Sequence, residues 1–257
     1  MARGTTAARP KGKLFYVGVA VDRYPNYADK NLKYAKSDMR LIADTIAAQS
    51  GSQYASVDAN ELSDERASPP SILSALEAAI AHATADDTLL VSFAGHGKRA
   101  GERFYFLTSQ TSKDDVPGTA LPWDKVAEAL SRSKAHVIVL LDACHSGVAS
   151  QEAIVPNDDY ASALMRSGKA GMVVLAASKG RQLSQERADL IGGHGLFSYA
   201  VAQALGADRK TADRNGNGVI ELSELYAYVK RTVSQMSEGA QTPWLSRDEI
   251  IGEAPLI

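Results

Sequence analysis

The chain has 257 residues, of which 45% are hydrophobic and 23% are charged, so it has ample apolar material for a folded core. Its formal net charge of -2 gives no electrostatic reason to expect nucleic acid or an anionic membrane as a partner. No apolar run approaches the roughly 20 residues that cross a bilayer, and the N-terminal stretch lacks the apolar segment of a secretory signal. The chain also has a single cysteine, which fits a reducing compartment, so we expect a cytoplasmic protein. Residues 1–12 are expected to form a flexible tail and residues 13–257 a single domain.

Four short, almost continuously apolar runs predict strands that are buried on both faces. They extend from Leu14 to Val21, from Thr88 to Ala94, from His136 to Asp142 and from Gly171 to Ala177. Segments with helical spacing lie between them, over 32–46, 72–80 and 123–130. Strands that alternate with helices indicate an α/β fold with a mainly parallel sheet and helices on both faces. Residues 103–109 are expected to form a hairpin or an edge strand, and residues 148–168 a long surface loop with one short helix at most.

The only cysteine, Cys144, and a histidine between two glycines, His96, come directly after two of the predicted strands. Because ligand sites in open α/β sheets form beyond the carboxyl ends of the strands, both side chains are expected at the same edge. There the imidazole could take the thiol proton and later protonate a leaving group, as a nucleophilic cysteine requires. Taken singly, Cys144 could be an inert core residue and His96 a turn residue. His145 is expected to point to the opposite face of the strand from Cys144.

Asp142 should share the face of Cys144, because it lies two residues before it on an extended strand. A carboxylate beside a thiol hampers thiolate formation unless a cation is also present, and an Arg or Lys side chain of a substrate would serve. The alternative is that Asp142 caps a following helix.

These segments resemble the caspase superfamily, and within it the metacaspases and the bacterial caspase-like peptidases. "FAGHGK" is similar to the histidine loop and "LLDACHSG" to the metacaspase form of the cysteine motif, with His96 placed 48 positions before Cys144, close to the usual spacing of about 50. "LFYVGVAVDRY", "NLKYAKSD", "LAASKGRQLSQE" and "GGHGLFSYAVAQAL" are similar to other parts of the family. The resemblance covers nearly the whole chain from Lys13 onward. It implies a caspase-like three-layer sandwich and one peptidase domain over 13–257.

The resemblance also implies roles for individual residues. Cys144 would be the nucleophile and His96 the general base and acid, with the backbone N–H groups of Gly97 and Cys144 as the oxyanion hole and no cofactor for the chemistry. Asp38 and Asp142 would line the S1 pocket. True caspases have glutamine where this chain has Asp142, so the resemblance favours a polypeptide substrate cut after Arg or Lys, with Asp at P1 as the alternative. For Asp38 the alternative is an exposed helix aspartate paired with Lys or Arg.

Family members are frequently activated by cleavage in the loop after the catalytic cysteine. That loop contains Arg166 and Lys169, which the enzyme itself or an activating protease could cut. A second class of function is also open, namely a catalytically silent caspase-like module that binds partners.

Residues 213–224, "DRNGNGVIELSE", fit the EF-hand loop pattern and predict a Ca²⁺ site. The expected ligands are Asp213, Asn215, Asn217, the Val219 carbonyl, Glu221 and a bidentate Glu224. A helix through 196–205 is expected before the loop and another over 222–236 after it. With few charged ligands and no partner loop, the affinity should be moderate or weak. The alternatives are an Asn/Gly-rich turn whose acids cap the next helix, and a calcium sensor whose thiol is incidental.

Overall fold

The computed structural model describes residues 12–143, 157–166, 172–179, 182, 184–190 and 192–247. In this part of the chain the strands are β1 (Leu14–Ala20), β2 (Val57–Ser63), β3 (Thr88–Gly95), β4 (Gly97–Ala100), β5 (Arg103–Phe106), β6 (Leu121–Pro122), β7 (His136–Ala143), β8 (Met172–Ala176), β9 (Glu186–Arg187), β10 (His194–Gly195) and β11 (Trp244–Arg247). The α-helices are α1 (Ala35–Ala47), α2 (Pro69–His82), α3 (Val116–Thr119), α4 (Trp123–Ser131), α5 (Asn157–Met165), α6 (Leu196–Leu205), α7 (Arg209–Ala212) and α8 (Leu222–Met236). Two 3₁₀ helices cover Pro25–Lys30 and Asp64–Arg66.

Within the described ranges, six strands form the central sheet in the order β11-β8-β7-β3-β1-β2; β11 is antiparallel to its neighbour and the other pairs are parallel. Helices α1, α6 and α8 pack on one another on one face, and α2, α4 and α5 do so on the other. The fold is therefore the α/β sandwich with a mostly parallel sheet that the sequence predicted. β1, β3 and β8 are buried along their whole length, which is why they read as continuous apolar runs.

Two edge strands, β2 and β11, are absent from the sequence prediction. Asp58, Ala59 and Asn60 in the middle of β2 are exposed, because this strand has a single neighbour in the sheet. β11 lies at the opposite edge and pairs with β8, with Trp244 opposite Ala176. Half-exposed edge strands have a weak apolar pattern, so they are hard to predict from the sequence. They are recognised in the structure by their hydrogen bonds to the neighbouring strand.

The segment 148–168 contains the one short helix that the expectation allowed, but this helix is not on a surface loop. Residues 157–165 form helix α5, in which Tyr160, Ala161 and Leu164 are buried, while residues 144–156 and 167–171 lie outside the described residues. α5 packs on α4, β8 and β7, so it is a part of the sandwich.

Gly12 accepts a hydrogen bond from the Ala55 amide at 3.0 Å, and residues 1–11, the rest of the segment for which a tail is expected, lie outside the described residues. Residues 103–106 form the expected hairpin strand, β5, which pairs with β4 and with β6. None of the helices in the described ranges is long and apolar enough to traverse a lipid bilayer.

Candidate active site

β3 and β7 end side by side at the carboxyl edge of the sheet. Their parallel register pairs Ala94 with Asp142 and Gly95 with Ala143. His96 follows β3 directly, so the structure places the predicted base at this edge. Cys144, the predicted nucleophile and second oxyanion donor, follows Ala143 in the sequence but lies outside the described residues, as does His145. The proposed contact between thiol and imidazole therefore stays a prediction.

His96 is buried, with 7% of its surface exposed, and is held through both its backbone and its ring. Its N–H donates to the Tyr24 hydroxyl at 2.9 Å, and the two rings lie 4.9 Å apart. Its Nε2 lies 2.6 Å from the carbonyl oxygen of Lys30. Because a carbonyl only accepts hydrogen bonds, Nε2 carries the proton of the neutral ring and Nδ1 carries the lone pair. Nδ1 is therefore the nitrogen that can act as a base.

Gly97 is the first residue of β4, and the neighbouring Tyr160 leaves no room for a side chain at this position. A β-carbon at this position would lie 2.0 Å from the Tyr160 hydroxyl oxygen. That hydroxyl donates to the carbonyl of Tyr105 at 2.6 Å, and the ring lies edge-on to Trp123. The close approach of α5 therefore explains this glycine.

The two acids expected in S1 lie together, although their positions in the sequence are far apart. Asp38 is 2% exposed and Asp142 is 3% exposed. A β-carbon at Gly195 would lie 2.9 Å from Asp38 Oδ2 and 3.4 Å from Asp142 Oδ2, so both carboxylates border the same glycine. Asp142 Oδ2 also accepts a hydrogen bond from the Ser198 hydroxyl at 3.1 Å. The alternative of an exposed, ion-paired Asp38 is wrong, whereas capping of a helix after Asp142 concerns residues outside those described.

The environment of Asp38 opposes its ionisation. Burial raises the pKa of this carboxyl from 3.8 to about 7, and the negative charge of Asp142 adds to the increase. Hydrogen bonds from His194 Nδ1 at 2.8 Å and from the Gly195 amide act in the opposite direction on the pKa. Such a buried acid gains from a cation placed beside it.

Glu186 is a third acid of this site, and no sequence motif pointed to it. It lies on β9, opposite Gly195, and is half-buried. Burial raises the pKa of its carboxyl, hydrogen bonds from the amides of Lys33 and Tyr34 lower it, and Asp142 raises it. β9 has only two residues, so no periodic pattern marked it; the only signal was its place at the end of the "LAASKGRQLSQE" segment.

Gln241 fixes the loop that carries Glu186. Its side chain is fully buried, and its Oε1 accepts from the Gln185 amide at 2.8 Å. Its Nε2 donates to the carbonyl of Ala177, directly after β8, at 2.9 Å. The segment before β11 thus connects the acidic loop to the end of the sheet.

The predicted Ca²⁺ loop folds around its own acids. Asp213 accepts hydrogen bonds from the amides of Gly216, Asn217 and Gly218. The side-chain amides of Asn215 and Asn217 donate to Glu221. Gly218, at the sharp turn, has a φ of 82°, which glycine adopts readily.

The end of this loop caps the helix that follows it. Glu224 Oε1 accepts from the amides of Arg214 and Asn215, and its Oε2 accepts from the Glu221 amide as part of a capping box. Thus the capping interaction is present. In the described ranges no group of three or more His, Cys, Asp or Glu residues is arranged to hold a metal, so amide and carbonyl oxygens, such as that of Val219, would have to complete a site. The helix before the loop is the short α7, since α6 ends earlier, at Leu205.

Of the two basic residues proposed for activation, Arg166 directly follows α5 and is exposed. Its amide still donates to the carbonyl of Ser162 at 3.1 Å, so the last turn of the helix extends to it. Lys169 lies outside the described residues.

Comparisons with known proteins agree with this architecture. The sequence matches the caspase domain of the peptidase C14 family over residues 19–254. The fold is similar to the crystal structure of protein GSU0716 from Geobacter sulfurreducens, with a TM-score of 0.61 and 17% identity over 91% of this chain and 92% of that chain. It is also similar to the structure of pro-sf-caspase-1, with a TM-score of 0.56 and 12% identity over 93% and 92% of the two chains. At these identities the structural likeness concerns the fold alone. No curated protein matches the chain.

Proposed function

Because the chain belongs to the caspase domain family, we propose that it is a cysteine endopeptidase that hydrolyses peptide bonds after Arg or Lys. One observation carries this specificity: the buried carboxylates of Asp38 and Asp142 border the same glycine, next to the strand end that bears His96. Two desolvated acids beside one glycine favour a cationic side chain and repel an acidic one. Glu186 adds a third acid next to Asp142.

The proposed chemistry uses Cys144 and His96 and needs no cofactor. Nδ1 of His96 takes the proton of the Cys144 thiol, and the thiolate attacks the scissile carbonyl carbon. The oxyanion that forms accepts hydrogen bonds from the backbone N–H groups of Cys144 and Gly97. His96 then protonates the leaving amine, which leaves a thioester, and a water molecule that His96 activates hydrolyses it. A reducing compartment such as the cytoplasm would keep Cys144 in the thiol form.

The contacts of His96 support this division of roles. The Lys30 carbonyl accepts from Nε2, so the imidazolium formed in the first step is stabilised, and the tautomer that leaves Nδ1 basic is favoured. The Tyr24 hydroxyl holds the backbone of the same residue. The ring is therefore oriented before a substrate binds, which is what proton transfer needs.

Fluorogenic peptides that differ only in an Arg, Lys or Asp at P1, assayed with and without Ca²⁺, test the proposal. We expect cleavage after Arg and Lys by the wild type and none by Cys144→Ala. Asp142→Asn should lose much of the preference for basic residues. Cleavage after Asp alone would overturn the specificity, and equal activity of Cys144→Ala would overturn the mechanism. Inactivity of the wild type on every peptide would favour a binding module.

We also propose that residues 213–224 bind Ca²⁺. The available donors are all oxygen atoms, as Ca²⁺ requires, and they are the side chains of Asp213, Asn215, Asn217, Glu221 and Glu224 with the Val219 carbonyl. Because Glu224 now accepts three amide N–H groups, binding has to replace hydrogen bonds, and this favours a moderate or weak affinity. The ion would stabilise the connection between α7 and α8.

Calorimetric titration of Ca²⁺ into the wild type and Glu224→Gln tests the ligand assignment. Glutamine is also accepted in a capping box, so this variant removes the charge while the helix start is kept. Glu102→Gln, at an exposed position outside the loop, is the matched control. We expect the heat of binding to disappear in Glu224→Gln only; undiminished binding would refute the assignment.

Self-processing after Arg166 or Lys169 is the proposed route of activation. The exposed position of Arg166 makes the first bond reachable, although the last turn of α5 must open for the extended backbone that a protease needs. Wild-type protein should yield fragments that end at residue 166 or 169, and Cys144→Ala should stay intact. Identical intact bands for both proteins would contradict self-processing.

A further inference from the structure

A short hairpin delivers two hydrogen-bond donors to the buried Asp38. His194 lies on β10 and is 7% exposed, and its Nδ1 lies 2.8 Å from Asp38 Oδ1. The amide of the next residue, Gly195, lies 3.2 Å and 3.1 Å from the two oxygens of the same carboxylate. Both oxygens therefore act as acceptors, as expected of an ionised acid. Asp142 Oδ2 borders the same glycine, 3.4 Å from where its β-carbon would lie.

The charges that surround this carboxylate do not favour its ionisation. β7 contributes the acidic Asp142 and β10 contributes His194 to the surroundings of this carboxylate. Glu186 on β9 acts on Asp142, and the ring of Tyr199 on α6 stacks on that of His194, with the ring centroids 6.3 Å apart. His194 is thus the side chain that offsets burial and the charge of Asp142, which together raise the pKa of Asp38 to about 7.

We propose that His194 is a positioning residue for substrate selection: its Nδ1–H orients Asp38 as a carboxylate beside Asp142, and the oriented pair then selects a cationic P1 side chain. The inference rests on the proposed cleavage after basic residues and explains what maintains that preference in an acidic, buried pocket. His194 lies on β10 rather than on the strand ends that lead to His96 and Cys144. Its loss should therefore alter the choice of substrate more than the chemistry.

The test compares two peptides that are identical except at P1, where one has Arg and the other has citrulline. Citrulline has nearly the shape of Arg without its charge, so the ratio of the two kcat/KM values isolates recognition of the charge. Titration of the Cys144–His96 pair affects both peptides and cancels in this ratio. In the wild type the ratio should rise with pH through about 7, because Asp38 ionises there.

His194→Ala should lower this ratio about tenfold or more at neutral pH, through a higher KM for the Arg peptide, because a hydrogen bond to a charged group is lost. The rise of the ratio should also move to higher pH. His194→Asn keeps a donor near the position of Nδ1 and should restore most of the preference. His82→Ala, a change at an exposed histidine on α2, is the matched control and should leave the ratio unchanged.

The outcomes separate this inference from the proposed function. Cleavage after Arg with an unchanged ratio in His194→Ala overturns the inference alone, and an equal loss on both peptides assigns His194 a structural role and also overturns it. Failure of the wild type to cleave either peptide overturns the proposed function and the inference with it. If His194→Ala does not fold, the wild-type profile decides, because a ratio that is flat across neutral pH contradicts the role of the pair.

Discussion

Replacement of Gly97 by alanine tests how the residue after His96 is held. The added β-carbon would lie 2.0 Å from Tyr160 Oη, 2.4 Å from Cζ and 2.5 Å from Cε2, far below a normal contact of about 3.5 Å. Tyr160 is fixed because its hydroxyl donates to the Tyr105 carbonyl and its own carbonyl accepts from Trp123 Nε1 at 3.0 Å. We expect Gly97→Ala to lower the free energy of unfolding by about 1–3 kcal/mol, the usual cost of overpacking.

Chemical denaturation of four proteins measures this effect: the wild type, Gly97→Ala, Tyr160→Leu and the double variant. Leucine lacks the three overlapping atoms, and the φ of Gly97 is outside the left-handed region, so alanine should fit in that background. There it should cost nothing or stabilise by about 0.4–1 kcal/mol. The coupling between the two changes should therefore reach at least about 1 kcal/mol. An equal cost of Gly97→Ala in both backgrounds would refute the reasoning.

Four further predictions concern the site. Gly195→Ala would place a β-carbon 2.9 Å from Asp38 Oδ2. It should lower kcat/KM for basic peptides about 10- to 100-fold; unchanged kinetics would argue against an S1 pocket here. Tyr24→Phe removes the acceptor of the buried His96 amide, which should cost about 1–3 kcal/mol of stability in denaturant melts and lower kcat; a variant as stable as the wild type would contradict this. Glu186→Gln should reduce the Arg-to-citrulline ratio, and no reduction would remove Glu186 from the pocket. Because folding raises the pKa of Asp38 from 3.8 to about 7, its contribution to stability is present below pH 3.8 and is lost as the pH rises to about 7. Asp38→Asn should therefore flatten the stability profile in that interval, and a constant difference from the wild type across it would count against the shift.

Much of the fold could be predicted, because a strand that is buried on both faces is a continuous run of apolar residues in the sequence. β1, β3, β7 and β8 are continuous apolar runs, and their ends were predicted to within about two residues. β2 and β11 were not predicted, because an edge strand needs few apolar residues. Such a strand is identified by its hydrogen bonds to the neighbouring strand. The burial of α5 could not be predicted, since its buried face depends on contacts with α4 and β8 that no local pattern specifies.

By itself the sequence identified the four inner strands of the sheet as buried segments and placed His96 directly after one of them. Because the carboxyl ends of parallel strands share one edge, it also predicted on which edge of the sheet His96 lies. The position of Asp38 in the site came from the family resemblance, and its burial was decided only in the folded chain. Tertiary structure alone brought in Glu186 and His194, which lie on strands of two residues. The hydrogen bond between Asp38 and His194 joins positions 156 residues apart. The periodicity of apolar residues indicates which side of a helix or strand is buried. The pKa of an acid depends instead on neighbouring groups from distant parts of the chain, and only the folded structure decides which groups become its neighbours.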